Sequence, residues 1–193
     1  MKFFFGLGNI GNEYKLTRHN VGFILIDSII ECYNFSIVGT KFHSEVFSGT
    51  INGEAIVCFK PNTYMNLSGK AVSSMLNFYK PQKTDIFVFT DELDLPVGEL
   101  RLKFASATSG HNGLRSIDSS IGKDYWRIKI GIDRPSNHAV SDYVLSKFKT
   151  EELESVNSLC ENFTKNSINE LIELKSDDTK GINLFNKKYG KSS

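Results

Sequence analysis

The stretch FFFGLGNIGNEY, residues 3–14, runs an apolar segment straight into Gly6, Gly8 and Gly11. That spacing spells G-x-G-x-x-G, the turn that holds a dinucleotide at the end of a first strand. Such a turn needs a helix that begins within the glycines, so that its N-terminus faces the pyrophosphate. Here NEYKLTRHN (12–20) intervenes, and Asn9, Asn12 and Asn20 favour turns. The acid expected about 20 residues further on is also missing, since Asp27 and Glu31 fall inside a helical pattern. The glycines are therefore expected to bring backbone close to another element. The chemistry is expected in the polar residues beside them: Asn9, Tyr14, Arg18 and His19.

Working outward, residues 2–7 read as the first strand. From about residue 19 a helical period sets Val21, Ile24, Leu25, Ser28, Ile29 and Cys32 on one face. Segments 42–50 and 54–60 alternate and are joined by Asn52-Gly53, a hairpin turn. PNTYMNLSG (61–69) leads into a second helix with Val72, Met75, Leu76 and Tyr79 as its buried stripe. DIFVFTDELDLP (85–96) is a buried strand ending in acids, GELRLKF (98–104) another strand, and HNGLRSIDSSIG (111–122) a short helix. YWRIKIGI (125–132) alternates as a strand; residues 151–174 are largely helical, and Asp177-Asp178 opens a last helix through capping and dipole effects. Interleaved strands and helices place the chain in the α/β class: one compact domain over 1–193, with a twisted mixed sheet flanked by helices.

The 193 residues, 40% of them hydrophobic, suffice for one substantial core. The apolar runs are too short to span a bilayer, so no membrane partner is expected. Cys32, Cys58 and Cys160 are widely spaced, which fits a reduced cytosolic protein without structural disulfides or zinc. Net charge is +1, yet residues 101–150 carry nine Lys/Arg against four Asp/Glu, while 151–180 carry three against eight. The basic middle is a candidate electrostatic footprint. Arg101 with Lys103, and Arg127 with Lys129, each point to one face of a strand; if the two strands are neighbours, four cations form one patch.

Polar clusters recur where the strands end, and ligands of open α/β sheets bind beyond the carboxyl ends of strands. A His as general base, an Asp to orient it and amides to polarise a carbonyl would suit hydrolysis through activated water. No Ser or Cys stands in a G-x-S-x-G context, so an acyl-enzyme is not indicated.

GLGNIGNEYKLTRHNVGF, KPNTYMNLSGKAV, TDELDLPVGELRLK, GHNGLRSI and the pair IGIDRP and VSDYVLSKF resemble, collinearly over 3–148, bacterial-type peptidyl-tRNA hydrolases. The helical part 149–193 lies outside that resemblance. The resemblance implies a monomeric, cytosolic carboxylic ester hydrolase with no required metal or other cofactor. Its substrate is peptidyl-tRNA, cleaved between the peptide and the terminal ribose, which returns the tRNA for reuse. It further implies His19 as base and Asp91 as the acid holding its ring. Asn9, Asn66 and Asn112 match amides lining the site, and the Asn112 amide is our candidate donor to the oxyanion. Tyr14 and Met65 match contacts near the 3′ end of the tRNA, Lys103 matches a phosphate-clamping lysine, and Lys129 stands where some members carry Arg. The acidic helix and the basic tail of Lys187, Lys188 and Lys191 are candidates for a ribosome contact.

Three departures stand out. Ile10 replaces a turn proline, ASATS (105–109) replaces a glycine-rich run, and Lys129 offers a point charge instead of a bidentate fork. His111 is expected to shape the loop before its helix, with a direct role as the alternative, His43 and His138 to lie on the surface, Trp126 in the core, and Glu92 and Asp94 to cap or solvate the turn after Asp91. A non-catalytic RNA-binding module, similar to this family, would keep the basic patch but have no use for a His19–Asp91 pair.

Overall fold

A computed structural model describes residues 1–137 and 139–190; His138 and Lys191, placed above on the surface and in the basic tail, lie outside them. Seven strands form one mixed sheet: β1 (Lys2–Gly6), β2 (Ser36–Lys41), β3 (Ser44–Ile51), β4 (Glu54–Pro61), β5 (Ile86–Glu92), β6 (Leu100–Phe104) and β7 (Trp126–Gly131), in the order β2-β3-β4-β1-β5-β7-β6. The inner strands β4, β1, β5 and β7 are parallel, while β2, β3 and β6 run antiparallel to their neighbours. The helices are α1 (Val21–Cys32), α2 (Ser68–Tyr79), α3 (Asn112–Ile121), α4 (Val140–Leu145), α5 (Thr150–Asn166), α6 (Ile168–Glu173) and α7 (Thr179–Tyr189).

The alternation of side chains along a strand divides the core into two layers. Phe4, Phe87, Phe89, Trp126 and Ile128 pack with α1, α5, α6 and α7 on one face. Phe3, Phe5, Ile86 and Val88 pack with α2 and α3 on the other. Trp126 is fully buried, as expected, with its ring 6.0 Å from that of Phe87. The chain leaves β1 through α1 on one face and reaches β5 through α2 on the other. The topology therefore reverses at β1, and a crevice opens beyond the carboxyl ends of β4, β1, β5 and β7.

The opening glycines serve packing. A Cβ on Gly22 would lie 2.4 Å from the Phe89 carbonyl oxygen and 2.6 Å from the Leu7 nitrogen, and one on Gly6 would lie 2.6 Å from the Gly22 carbonyl oxygen. Only bare backbone on both sides lets α1 sit this close to β1 and β5. The helix starts at Val21, well past Gly11, so the dinucleotide geometry does not form.

The hairpin forms as read, with Asn52 at φ 47° and Gly53 at φ 83° in the two-residue turn. β2 was not foreseen. Ile37 and Val38 on this edge strand are exposed, so no burial pattern announces it, and Phe42 and His43 form a tight left-handed turn into β3 instead of starting that strand. Cys32, expected on one face of α1 with Val21, Leu25 and Ile29, is exposed, because the buried face is shifted to include Gly22 and Ile26. Asp178 caps α7 by accepting from the Gly181 N–H at 2.8 Å.

The four-cation patch does not form. β6 and β7 are neighbours, with Arg101 opposite Lys129 and Lys103 opposite Arg127. Arg127, however, is fully buried and ion-paired with Asp118 of α3 at 2.8 Å. Lys129 is 7% exposed and paired with Glu92 at 2.6 Å. A charge in the layer between sheet and helix must find a counter-charge, so only Arg101 and Lys103 reach solvent. Glu92 is correspondingly buried rather than solvated, and its other oxygen accepts from the Asp94 N–H.

Candidate functional site

His19 lies in a turn of 3-10 helix, Arg18–Asn20, that feeds α1, and Asp91 lies near the end of β5. Both are buried, and their side chains are joined by a 2.8 Å hydrogen bond between His19 Nδ1 and Asp91 Oδ1. A second histidine shares that oxygen: His111 Nε2 lies 2.9 Å from Asp91 Oδ1 and 3.0 Å from Thr90 Oγ1. The His111 Nδ1 accepts from the N–H groups of Gly113 and Leu114 at 3.1 and 3.2 Å, capping α3.

These contacts settle both tautomers. The His111 Nδ1 is an acceptor, so its Nε2–H donates to Asp91; the carboxylate only accepts, so His19 donates from Nδ1 and its Nε2 keeps the lone pair. Burial disfavours charge on His19, but the Asp91 charge and hydrogen bond outweigh it and raise its pKa above 6.5. Burial would likewise push the Asp91 carboxyl up, yet the two imidazoles hold it well below the ordinary carboxylate range.

A cavity of about 320 Å³ opens over this pair, lined by His19, Asp91, Glu92, the 108–112 segment, Arg134 and, from α4, Val140, Ser141 and Val144. Asn112, the first residue of α3, lies on its wall. Asn9 sits behind the His19 turn. Its backbone exchanges two 2.9 Å hydrogen bonds with the Asn20 side chain, and its own Oδ1 accepts from the Met65 N–H at 3.0 Å. It lines a neighbouring cleft of about 540 Å³ with Asn20, Phe23, Lys15 and Lys60.

The crevice thus collects His19, Asp91 and Asn112 around one cavity, with Asn9 and the buried Met65 joined beside it. Half-buried Tyr14 and exposed Asn66 lie on the flanking turns and line neither opening. Lys103 is exposed on β6. Lys129 stays beneath the 105–109 segment, donating to Ser109 Oγ at 3.0 Å. His111 does shape its loop, as expected, and it also binds Asp91, a direct contact in the site of the kind that the alternative reading requires. Arg134 and α4 are also on the wall; both stand in the IGIDRP and VSDYVLSKF motifs, but neither is among the site residues expected from the sequence.

Among the described residues, His19, Asp91 and His111 are the one group of three whose ligand atoms lie within 4.8 Å of one another. As arranged, both ring N–H groups point at one carboxylate oxygen, so a cation would have to displace two protons.

The sequence profile described as peptidyl-tRNA hydrolase matches residues 3–192. A peptidyl-tRNA hydrolase of Bacillus cereus is 46% identical over 159 residues, covering 81% of this chain and 86% of its own. One of Bartonella bacilliformis is 46% identical over 155 residues, 80% of each chain. The crystal structure of peptidyl-tRNA hydrolase from Acinetobacter baumannii superposes with a TM-score of 0.89 at 33% identity, covering 98% of this chain and 96% of that one. With the sheet order, the buried His–Asp pair and these likenesses together, the chain belongs to the peptidyl-tRNA hydrolase family of enzymes.

Proposed function

We propose that this enzyme hydrolyses the ester between a peptide and the 3′ terminal ribose of tRNA with water activated by His19, returning the tRNA for reuse. The observation that carries the reading is the His19–Asp91 hydrogen bond, which commits Nδ1 and leaves Nε2 as the base on the cavity wall. Nε2 takes a proton from water as its oxygen attacks the ester carbonyl; the Asp91 charge steadies the imidazolium. The Asn112 amide donates to the carbonyl oxygen as it becomes negative. When the tetrahedral intermediate collapses, the ribose oxygen leaves with the proton held by His19. No step requires a cofactor. Asn9, Asn66, Tyr14 and Met65, beside the cavity, bind the 3′ end of the tRNA, and exposed Lys103 takes an RNA phosphate. Lys129, sealed by Glu92, is read as a support for the 105–109 segment in place of a phosphate contact.

Turnover of an N-blocked aminoacyl-tRNA tests this. His19→Ala is expected to lower kcat by about 10²–10⁴, the contribution of a positioned general base, with KM little changed. Near-full turnover by that variant would refute the mechanism.

A further inference from the structure

We propose that Arg18 is a positioning residue for the reaction, clamping the turn that carries His19 to the α4 wall of the cavity. The inference rests on the reading of His19 as base. The Arg18 side chain is 5% exposed and is not part of the cavity lining. Its Nη1 donates to Ser146 Oγ at 3.0 Å and to the Lys147 carbonyl at 2.5 Å, and its Nη2 to Glu152 Oε2 at 2.5 Å. The guanidinium carbon lies 4.5 Å from the centre of the Tyr143 ring and 5.2 Å from that of Phe148. Backbone contacts run alongside: the Arg18 N–H donates to the Ser146 carbonyl at 3.0 Å, and the Phe148 N–H to the Leu16 carbonyl at 3.1 Å.

One side chain thus gathers three elements: the His19 turn, the end of α4, and the start of α5, where Glu152 Oε2 also accepts from the Lys149 N–H at 2.7 Å. α4 has only six residues, of which Val144 alone is buried, so little apolar area holds it in place. Yet Val140, Ser141 and Val144 form one wall of the cavity. Its anchors are polar: the Tyr143 hydroxyl donating to the Ile132 carbonyl at 2.7 Å, and Arg18. Because the clamp belongs to the residue preceding His19, a shift of α4 and a shift of the base are one movement. A lysine can reach one of these acceptors but has neither the planar fork nor the face that stacks on Tyr143.

The test uses Arg18→Lys in the full chain, assayed well below its Tm on N-blocked aminoacyl-tRNA and on a short ester of the terminal adenosine. Misplaced groups lose rate more than binding. The expected result is a kcat lower by about tenfold or more on both substrates, with a much smaller change in KM. In a His19→Ala background, Arg18→Lys is expected to take little further from the residual rate, because it acts through His19. A folded Arg18→Lys with wild-type kcat overturns the proposal, however far Tm falls. If that variant does not fold, Glu152→Gln decides. It keeps an oxygen for the Lys149 N–H and removes only the charge, so a smaller kcat loss of the same kind supports the clamp, and wild-type kcat overturns it. Wild-type protein inert on both esters would instead overturn the hydrolase mechanism itself.

Discussion

Two histidines and one carboxylate oxygen set the chemistry of this site. Burial works against charge on His19, and Asp91 works for it, with the net effect of a pKa above 6.5. A base must be neutral to accept a proton, so kcat/KM should fall as pH drops through that raised pKa, with a midpoint above 6.5. Asp91→Asn removes the charge and leaves the burial. The midpoint should then move to lower pH, while the plateau rate falls by less than in His19→Ala. A pH–rate profile from 5 to 9 checks both; an unchanged midpoint would show that Asp91 does not tune His19. His111 shares the site, because its Nε2–H donates to the same Asp91 oxygen that His19 uses.

At the scale of elements, the site depends on how closely α1 seats on the sheet. Gly22→Ala would gain about 1 kcal/mol of helix propensity. Its methyl would meet the Phe89 carbonyl at 2.4 Å, however, and backbone cannot turn aside as a side chain can. The expected outcome is a net destabilisation of roughly 1–3 kcal/mol, as for overpacked cores, with a reduced kcat as the His19 turn lifts. Urea unfolding and turnover below Tm measure the two effects. Elsewhere the chain tolerates local strain. In the ASATS segment, Ala105 and Ser109 hold left-handed backbone at φ 48° and 51°, which costs a non-glycine residue about 1 kcal/mol each. The loop keeps a conformation that glycine would adopt freely, and the Lys129 bond to Ser109 helps to hold it.

Across the whole molecule, the cations of the basic middle divide into two kinds. Exposed Lys103 can neutralise a phosphate, and each such contact adds roughly 0.7–0.9 to the slope of log K against log salt. Lys103→Ala should flatten that slope for tRNA by about this amount and leave cleavage of a short adenosine ester unchanged. Lys129→Ala should behave differently. It strands Glu92 as a buried, unpaired charge, so it should cost stability, on the order of 3–5 kcal/mol, and lower Tm whatever the salt. Binding titrations across a salt series and thermal unfolding separate the two. Equal loss on long and short substrates by Lys103→Ala would place the tRNA track elsewhere on the surface.

The sequence alone determined the strands whose faces are both buried, because runs such as FFFG and IFVF have no other place to go. It also determined the hairpin, through Asn52-Gly53, and it set His19, Asp91 and Asn112 in motifs beside strand ends, where the fold gathers them around one cavity. It was silent on β2, whose apolar residues face solvent, and misleading on the basic patch. Those outcomes, the sharing of Asp91 between two histidines and the Arg18 clamp were decided by the tertiary structure alone. Each depends on which strand lies beside which, and on what covers the face: α3 and the 105–109 segment over β7 turn Arg127 and Lys129 from surface cations into buried partners of Asp118 and Glu92. Side-chain period tells which way a residue points, but only packing brings the partner that a charge removed from water must have.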